Sequence, residues 1–210
     1  MSVITDVRPT RGGQREFAVF VDGVHAFDVD EETLLSLGIR PGCTVDSGTI
    51  EAASRRAELS RAKGRALRLI GVRDRSEQEM RERLGQANFS GDIIEEVLSW
   101  LTSMGYLDDR RFAERWVDAR VRHNPLGRRM LQYELQQKGV ARSVVESVLE
   151  RVDGELETRL AREAAVRRDR RLGELPLDVR RRRIYSHLVR RGFRSDAIRK
   201  ALDHVLSDVR

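Results

Sequence analysis

Residues 131–149 read LQYELQQKGVARSVVESVL. Leu131 and Leu135 stand one helical turn apart and therefore share a helix face. Gly139, four residues further on, is the residue type that accepts the left-handed conformation in which helices commonly stop. Val140 follows, and Val144-Val145 and Val148-Leu149 then carry the apolar spacing of a second helix. The same string occurs twice more. Around Leu84 stand Met80, Asn88, Phe89, Ile93-Ile94 and Val97-Leu98; around Leu188 stand Ile184, Gly192, Phe193, Ala197-Ile198 and Ala201-Leu202. The register holds without a gap over roughly twenty residues, and the copies lie about fifty residues apart, a period that marks tandem structural repeats.

Each copy has room upstream for one more helix. The first carries Ala66, Leu67 and Ile70 there, the second Phe112, Ala113, Trp116 and Val117, the third Leu156, Leu160 and Ala164. Ser76 with Glu79 forms a capping-box pattern that opens the second helix of the first copy. Pro125 and Pro176 precede the corresponding helices of the other two, where proline is harmless. Three helices in so short a unit enclose a small core, so the units are expected to stack as an elongated array.

The first 45 residues differ. Val3 to Val7, Glu16 to Val21 and Val24 to Val29 read as strands, and Asp22-Gly23 between the last two is a strong two-residue hairpin signal. Asp30 looks like the cap of a short helix ending near Gly38, Gly12-Gly13 is a turn signal, and Pro41-Gly42 is another. Asp46 or Ser47 starts a long helix that Gly64 interrupts without breaking. The expected fold is mainly α: tandem three-helix repeats over 46–107, 108–153 and 154–210, preceded by a small β-rich module over 1–45.

Composition narrows the function. Hydrophobic residues make up 40% of the chain and charged residues 35%, a balance suited to narrow amphipathic helices with much exposed surface. A net charge of +6 and a pI near 10.2 favour polyanionic partners. One cysteine, Cys43, excludes an intramolecular disulfide and a cysteine-based zinc site. There is no long apolar run and no signal-peptide core between Met1 and Pro9, so a soluble cytoplasmic protein without membrane association is expected. The histidines His25, His123, His187 and His204 show no metal spacing, with His187 and His204 read as helix-surface residues. Nucleotide loops and hydrolase elbows are absent, so no cofactor and no enzymatic activity are expected.

Three stretches resemble the RecX family, bacterial regulators of the RecA recombinase. Ala66-Leu67-Arg68-Leu69-Ile70 through Arg73 to Met80 is similar to its first signature, and Gly105-Tyr106-Leu107-Asp108-Asp109 with Arg111-Phe112-Ala113 to its second and most specific one. Gly127, Leu135 and Gly139 resemble the third. Closed stacking of the three units allows a monomer, and the resemblance implies a protein that binds RecA and its filament on single-stranded DNA. It further implies restraint of ATP hydrolysis, strand exchange and coprotease activity, hence a place in homologous recombination, DNA repair and the SOS response. A sequence-independent helical DNA-binding protein without a dedicated protein partner is the alternative.

Candidate partner contacts are Arg73, Arg75, Tyr106, Asp108 and Asp109. For each a plainer reading stands beside it: the two arginines as a solvated helix face, Tyr106 as packing behind the Gly105 stop, the aspartates as helix caps. In the third repeat Arg167, Arg168, Arg170 and Arg171, then Arg180, Arg181, Arg182 and Arg183, then Arg190 and Arg191 are candidates for DNA phosphate or an acidic protein surface.

Overall fold

The computed structural model describes residues 1–10 and 16–207; the expected Gly12-Gly13 turn lies outside them. Two compact units form: unit 1 takes in Met1–Asp74 with Met80–Leu107, and unit 2 takes in Arg75–Glu79 with Asp108–Arg210.

Unit 1 begins with an antiparallel sheet of β1 (Ser2–Pro9), β2 (Glu16–Val21), β3 (Val24–Asp30) and β4 (Thr44–Val45), in the order β3-β2-β1-β4. Asp22 and Gly23 turn the hairpin with φ of 50° and 80°, the positive values a type I′ turn requires. Asp30 closes β3 and caps α1 (Glu31–Ser36) by accepting from the Thr33 amide at 2.7 Å. Its second oxygen accepts from the Ser60 hydroxyl on α2, tying the hairpin to that helix.

The long helix α2 (Ser47–Val72) serves two cores. Ala53 and Ala57 pack under the sheet with Ile4, Val19, Phe27 and Val29. One turn later Ala62 and Ala66 enter the core of the first repeat, with Met80 and Leu84 of α3 (Glu77–Gly85) and Ile93, Val97 and Leu101 of α4 (Gly91–Ser103). Alanine brings backbones close, so α2 buries a small-residue stripe. Leu67, expected in that core, is 42% exposed instead, because it lies about 100° round the helix from Ala66 and so falls off the Ala62–Ala66 stripe. Arg55 of α2 reaches Glu96 and Arg81 reaches Glu95, both on α4, at 2.8 and 2.9 Å.

Unit 2 holds the second and third repeats. The second is α5 (Asp109–His123), α6 (Arg128–Gln137) and α7 (Arg142–Leu149); the third is α8 (Gly154–Arg170), α9 (Leu177–Arg190) and α10 (Ser195–Ser207). All six anchor positions (Met80, Leu84, Leu131, Leu135, Ile184, Leu188) are fully buried. Each contributes roughly 1.5–3 kcal/mol by leaving water. The three stops adopt the expected conformation, with φ of 60° at Asn88, 75° at Gly139 and 76° at Gly192. Val121 and Leu156 pack against both repeat cores of this unit.

One junction occurs twice in unit 2. Eight residues before the Leu84 anchor, the Ser76 hydroxyl donates to the Lys138 carbonyl at 2.5 Å. Eight before Leu135, the Gly127 amide donates to the Arg191 carbonyl at 2.9 Å. Lys138 and Arg191 each stand three residues after an anchor, beside a stop glycine. The next residue in each case donates its amide to a carboxylate: Glu77 to Asp109 at 2.9 Å, Arg128 to Glu157 at 3.3 Å. Backbone donors at these helix starts that lack intrahelical partners, the Glu77 amide in one and the Gly127 and Arg128 amides in the other, are thereby met from the following repeat.

Candidate functional site

Asp108 and Asp109 have separate structural tasks. Asp108 is the N-cap of α5 and accepts from the Arg111 amide at 2.9 Å. Asp109 is half-buried and accepts from the Glu77 amide at the start of α3. A carboxylate at either place also meets the positive end of a helix dipole. Tyr106 is half exposed with its ring 6.4 Å from that of Trp100, while Leu107 is buried in the first repeat's core. Arg73 caps the end of α2 and donates to the Asp74 carbonyl at 2.9 Å; Arg75 is half-buried in unit 2.

The arginines of the third repeat divide among several surroundings. Arg180 makes a two-pronged pair with Asp169, at 2.8 and 2.6 Å, with only 14% of its side chain exposed. Arg181 and Arg182 border an open groove with Tyr185, Ile198 and Arg199. Arg170, Arg183 and Arg190 stand exposed on their helices.

Arg167, Arg168, Arg171 and Arg191 converge. Together with His123, Asn124, Pro125, Ala164 and His187 they line a cavity of about 140 Å³ within unit 2. The last turn of α8 supplies Arg167 and Arg168, and Arg171 caps that helix. The α9 side supplies His187 and Arg191, four residues apart and therefore on one face. The loop after α5 closes the side. Its Pro125 carbonyl accepts from Arg191 Nε at 2.9 Å and its Asn124 side-chain oxygen accepts from Arg191 Nη2, while the carbonyl of His123, the last residue of α5, accepts from Arg167 Nη1 at 3.2 Å. Among the described residues no carboxylate lines the cavity.

Crowding of like charge has its expected electrostatic effect. His187 is held neutral, its pKa pushed down to about 4 by burial first and then by the charges of Arg191, Arg168, Arg190 and Arg171. It is thus a half-buried member of the cavity and not the plain surface residue expected. Burial, then Arg167 and Arg120, also lowers the pKa of Arg191. Asn124, Pro125 and His187 are the participants that sequence reasoning missed. The spacing of His187 and Arg191 was the one local signal available.

Among the described residues, no group of three His, Cys, Asp or Glu side chains is placed to hold a metal ion, and no helix is long and apolar enough to cross a membrane. Cys43 is half-buried beside Ile4 and Val45 under the sheet.

Family models for the three-helix domains of RecX match this chain in order: the first over residues 62–101, the second over 108–149, the third over 155–202. A regulatory protein RecX from Corynebacterium efficiens is 38% identical over 169 residues, which is 76% of this chain and 79% of that protein. This chain belongs to the RecX family. A second RecX, from Prosthecochloris aestuarii, is 35% identical over 157 residues, covering 72% of this chain and 98% of the relative. The fold agrees with a crystal structure of regulatory protein RecX at a TM-score of 0.68 and 22% identity, over 99% of this chain and 100% of that one. RecX from Lactobacillus salivarius gives a TM-score of 0.63 at 20% identity, over 73% of this chain and 98% of its own. The relatives are regulatory proteins, and the matched segments coincide with the three repeats described above.

Proposed function

We propose that this chain is a non-enzymatic cytoplasmic regulator, monomeric on its own, that binds RecA and the RecA–single-stranded DNA filament. It restrains ATP hydrolysis, strand exchange and coprotease activity. Membership of the RecX family is the observation that carries this reading. The convergence of four arginines in unit 2 supports a subsidiary attraction toward DNA phosphate, and we keep the division into a module over 1–45 and repeats over 46–107, 108–153 and 154–210 as its structural frame. Arg73, Arg75 and Tyr106 are the proposed RecA contacts. Asp108 and Asp109 would act at that surface chiefly by holding their helices in place, given their capping roles.

The test is RecA-catalysed ATP hydrolysis on single-stranded DNA with the full chain titrated in. A fall at well below one molecule per RecA is expected. The second reading, a helical DNA-binding protein with no dedicated partner, draws on the same arginines. It predicts equal affinity for naked and RecA-coated DNA, and inhibition only when the protein is abundant enough to coat the strand.

A further inference from the structure

We propose that the cavity between the loop after α5, the end of α8 and α9 is a binding site for one phosphate group, its oxygens held by Arg168, Arg171 and Arg191. The proposal deepens, and rests on, the reading of the third repeat as the phosphate-attracting part of the chain. It adds a discrete pocket to what was a diffuse basic surface.

Several independent features lead there. Arg168 Nε is buried and has no hydrogen-bond partner among the described residues. A buried donor left unmade is costly, and native structures leave few of them. Arg168 and Arg171 have no carboxylate within ion-pair distance among the described residues; the nearest acid to the group, Glu163, stands 3.8 Å from Arg167 on its own helix. Arg191 and Arg167 are already oriented by carbonyl and amide oxygens of residues 123–125, at the end of α5 and in the loop after it. Those acceptors fix the guanidinium forks without neutralising them. Glu134 attracts Arg191 from a distance, but Arg120 and Arg171 oppose it.

The result is four positive charges facing a concavity of about 140 Å³, the volume of a few water molecules. A carboxylate has two oxygens, which one guanidinium fork satisfies. Several convergent forks match the larger oxygen set and charge of phosphate. The neutral His187 adds a donor without a fifth charge. Two sources supply this group: free inorganic phosphate, or the backbone of a single-stranded nucleic acid.

The experiment uses the full chain in four forms: the parent, Arg168→Gln, Arg171→Gln, and a control carrying Arg181→Gln, Arg182→Gln and Arg183→Gln on the exposed face of α9. Inorganic phosphate is titrated while the thermal midpoint and the His187 ring resonances are followed. A fluorescent single-stranded oligonucleotide is titrated separately across a salt series. Phosphate should raise the midpoint of the parent, as any ligand selective for the folded state does, and should shift the His187 resonances. Arg168→Gln should abolish both responses while leaving the phosphate-free midpoint unchanged or higher, because it removes a buried unpaired donor. If the source is nucleic acid, Arg168→Gln should also weaken oligonucleotide binding about tenfold and reduce the salt slope by about 1. A phosphate response with unaltered oligonucleotide binding assigns the pocket to free phosphate. The proposal is overturned if phosphate moves neither observable in the parent and both pocket variants bind the oligonucleotide as the parent does. Should the α9 control alone lose binding in that case, the phosphate-attracting reading of the third repeat survives; should it bind normally too, that reading falls as well.

Discussion

Replacing Gly127 with alanine tests the junction inside unit 2 directly. The backbone there has φ −73° and ψ 160°, ordinary for any residue. Conformation alone would therefore make alanine favourable by roughly 0.4–1 kcal/mol, through the unfolded chain. Space decides otherwise. A Cβ at this position would lie 2.2 Å from the Gly192 carbonyl oxygen and 2.3 Å from the Phe193 nitrogen, both backbone atoms. The third repeat must retreat, which for overpacking costs about 1–3 kcal/mol. Retreat also stretches the Gly127 amide bond to Arg191 and the Arg128 amide bond to Glu157, each contributing about 1 kcal/mol. The net expectation is a destabilisation of about 2–4 kcal/mol. Urea unfolding of the full chain, followed by far-ultraviolet circular dichroism, should show it in the transition that carries unit 2. Gly71→Ala is the control: it lies on α2 with nothing within 4 Å of the new Cβ. It should stabilise by about 0.5–1 kcal/mol through helix propensity. If Gly127→Ala unfolds within about 0.5 kcal/mol of the parent, the close approach of Gly127 to Gly192 is wrong.

Three further perturbations follow from the same geometry. Asp109→Ala removes the acceptor of the Glu77 amide and should cost about 1 kcal/mol in urea unfolding; a catalytic role would instead leave stability intact and abolish an activity. Glu157 is fully buried and accepts from the Arg128 and Arg194 amides; Arg194 Nε lies 2.8 Å from its other oxygen but outside hydrogen-bonding geometry. Glu157→Ala orphans both amides, while the half-exposed Arg194 is rescued by water, so about 2–3 kcal/mol should be lost, and an unchanged midpoint would contradict the capping role. His187 binds its proton more readily unfolded, near pH 6.5, than folded, near 4. Its contribution is therefore complete above pH 6.5 and is lost as pH falls toward 4. The full difference corresponds to about 3.4 kcal/mol, which solvent screening of a half-buried ring reduces to about 1–2 kcal/mol. His187→Gln should flatten the pH dependence of stability between 6.5 and 4.5; superimposable profiles would show that the ring does not titrate as described.

The repeat was legible because its determinants are local. Leucine and its relatives four apart, then a glycine or asparagine, specify a helix and its stop within nine residues, and every anchor is buried as expected. The hairpin was legible for the same reason, since Asp22-Gly23 states its own turn. β4 escaped notice because two residues, Thr44 and Val45, carry no periodicity. On α2 the eye follows Leu67, the larger apolar residue, whereas the helix buries Ala62 and Ala66, whose value lies in how little space they take. The cavity was illegible in principle. Asn124, Arg168 and Arg191 meet only when three elements are packed, and adjacent arginines on a helix face different directions. Arg180 illustrates this: one of four consecutive arginines, it alone turns inward to Asp169.

The junction found twice in unit 2 has a consequence for how such chains change in number of parts. Its two sides are unlike: one presents a helix start with amide or hydroxyl donors, the other a stop carbonyl and a carboxylate. An interface of that kind is heterologous, so two identical ends have nothing to offer each other. It accepts a successor of the same kind at one end only. A duplicated segment of one repeat length inserted after α7 would offer its own stop carbonyl and carboxylate to Gly127 and Arg128, and its own helix start would take over the contacts with Arg191 and Glu157. Growth or loss in this fold therefore proceeds in whole repeats, and a fractional insertion is the kind of change it resists.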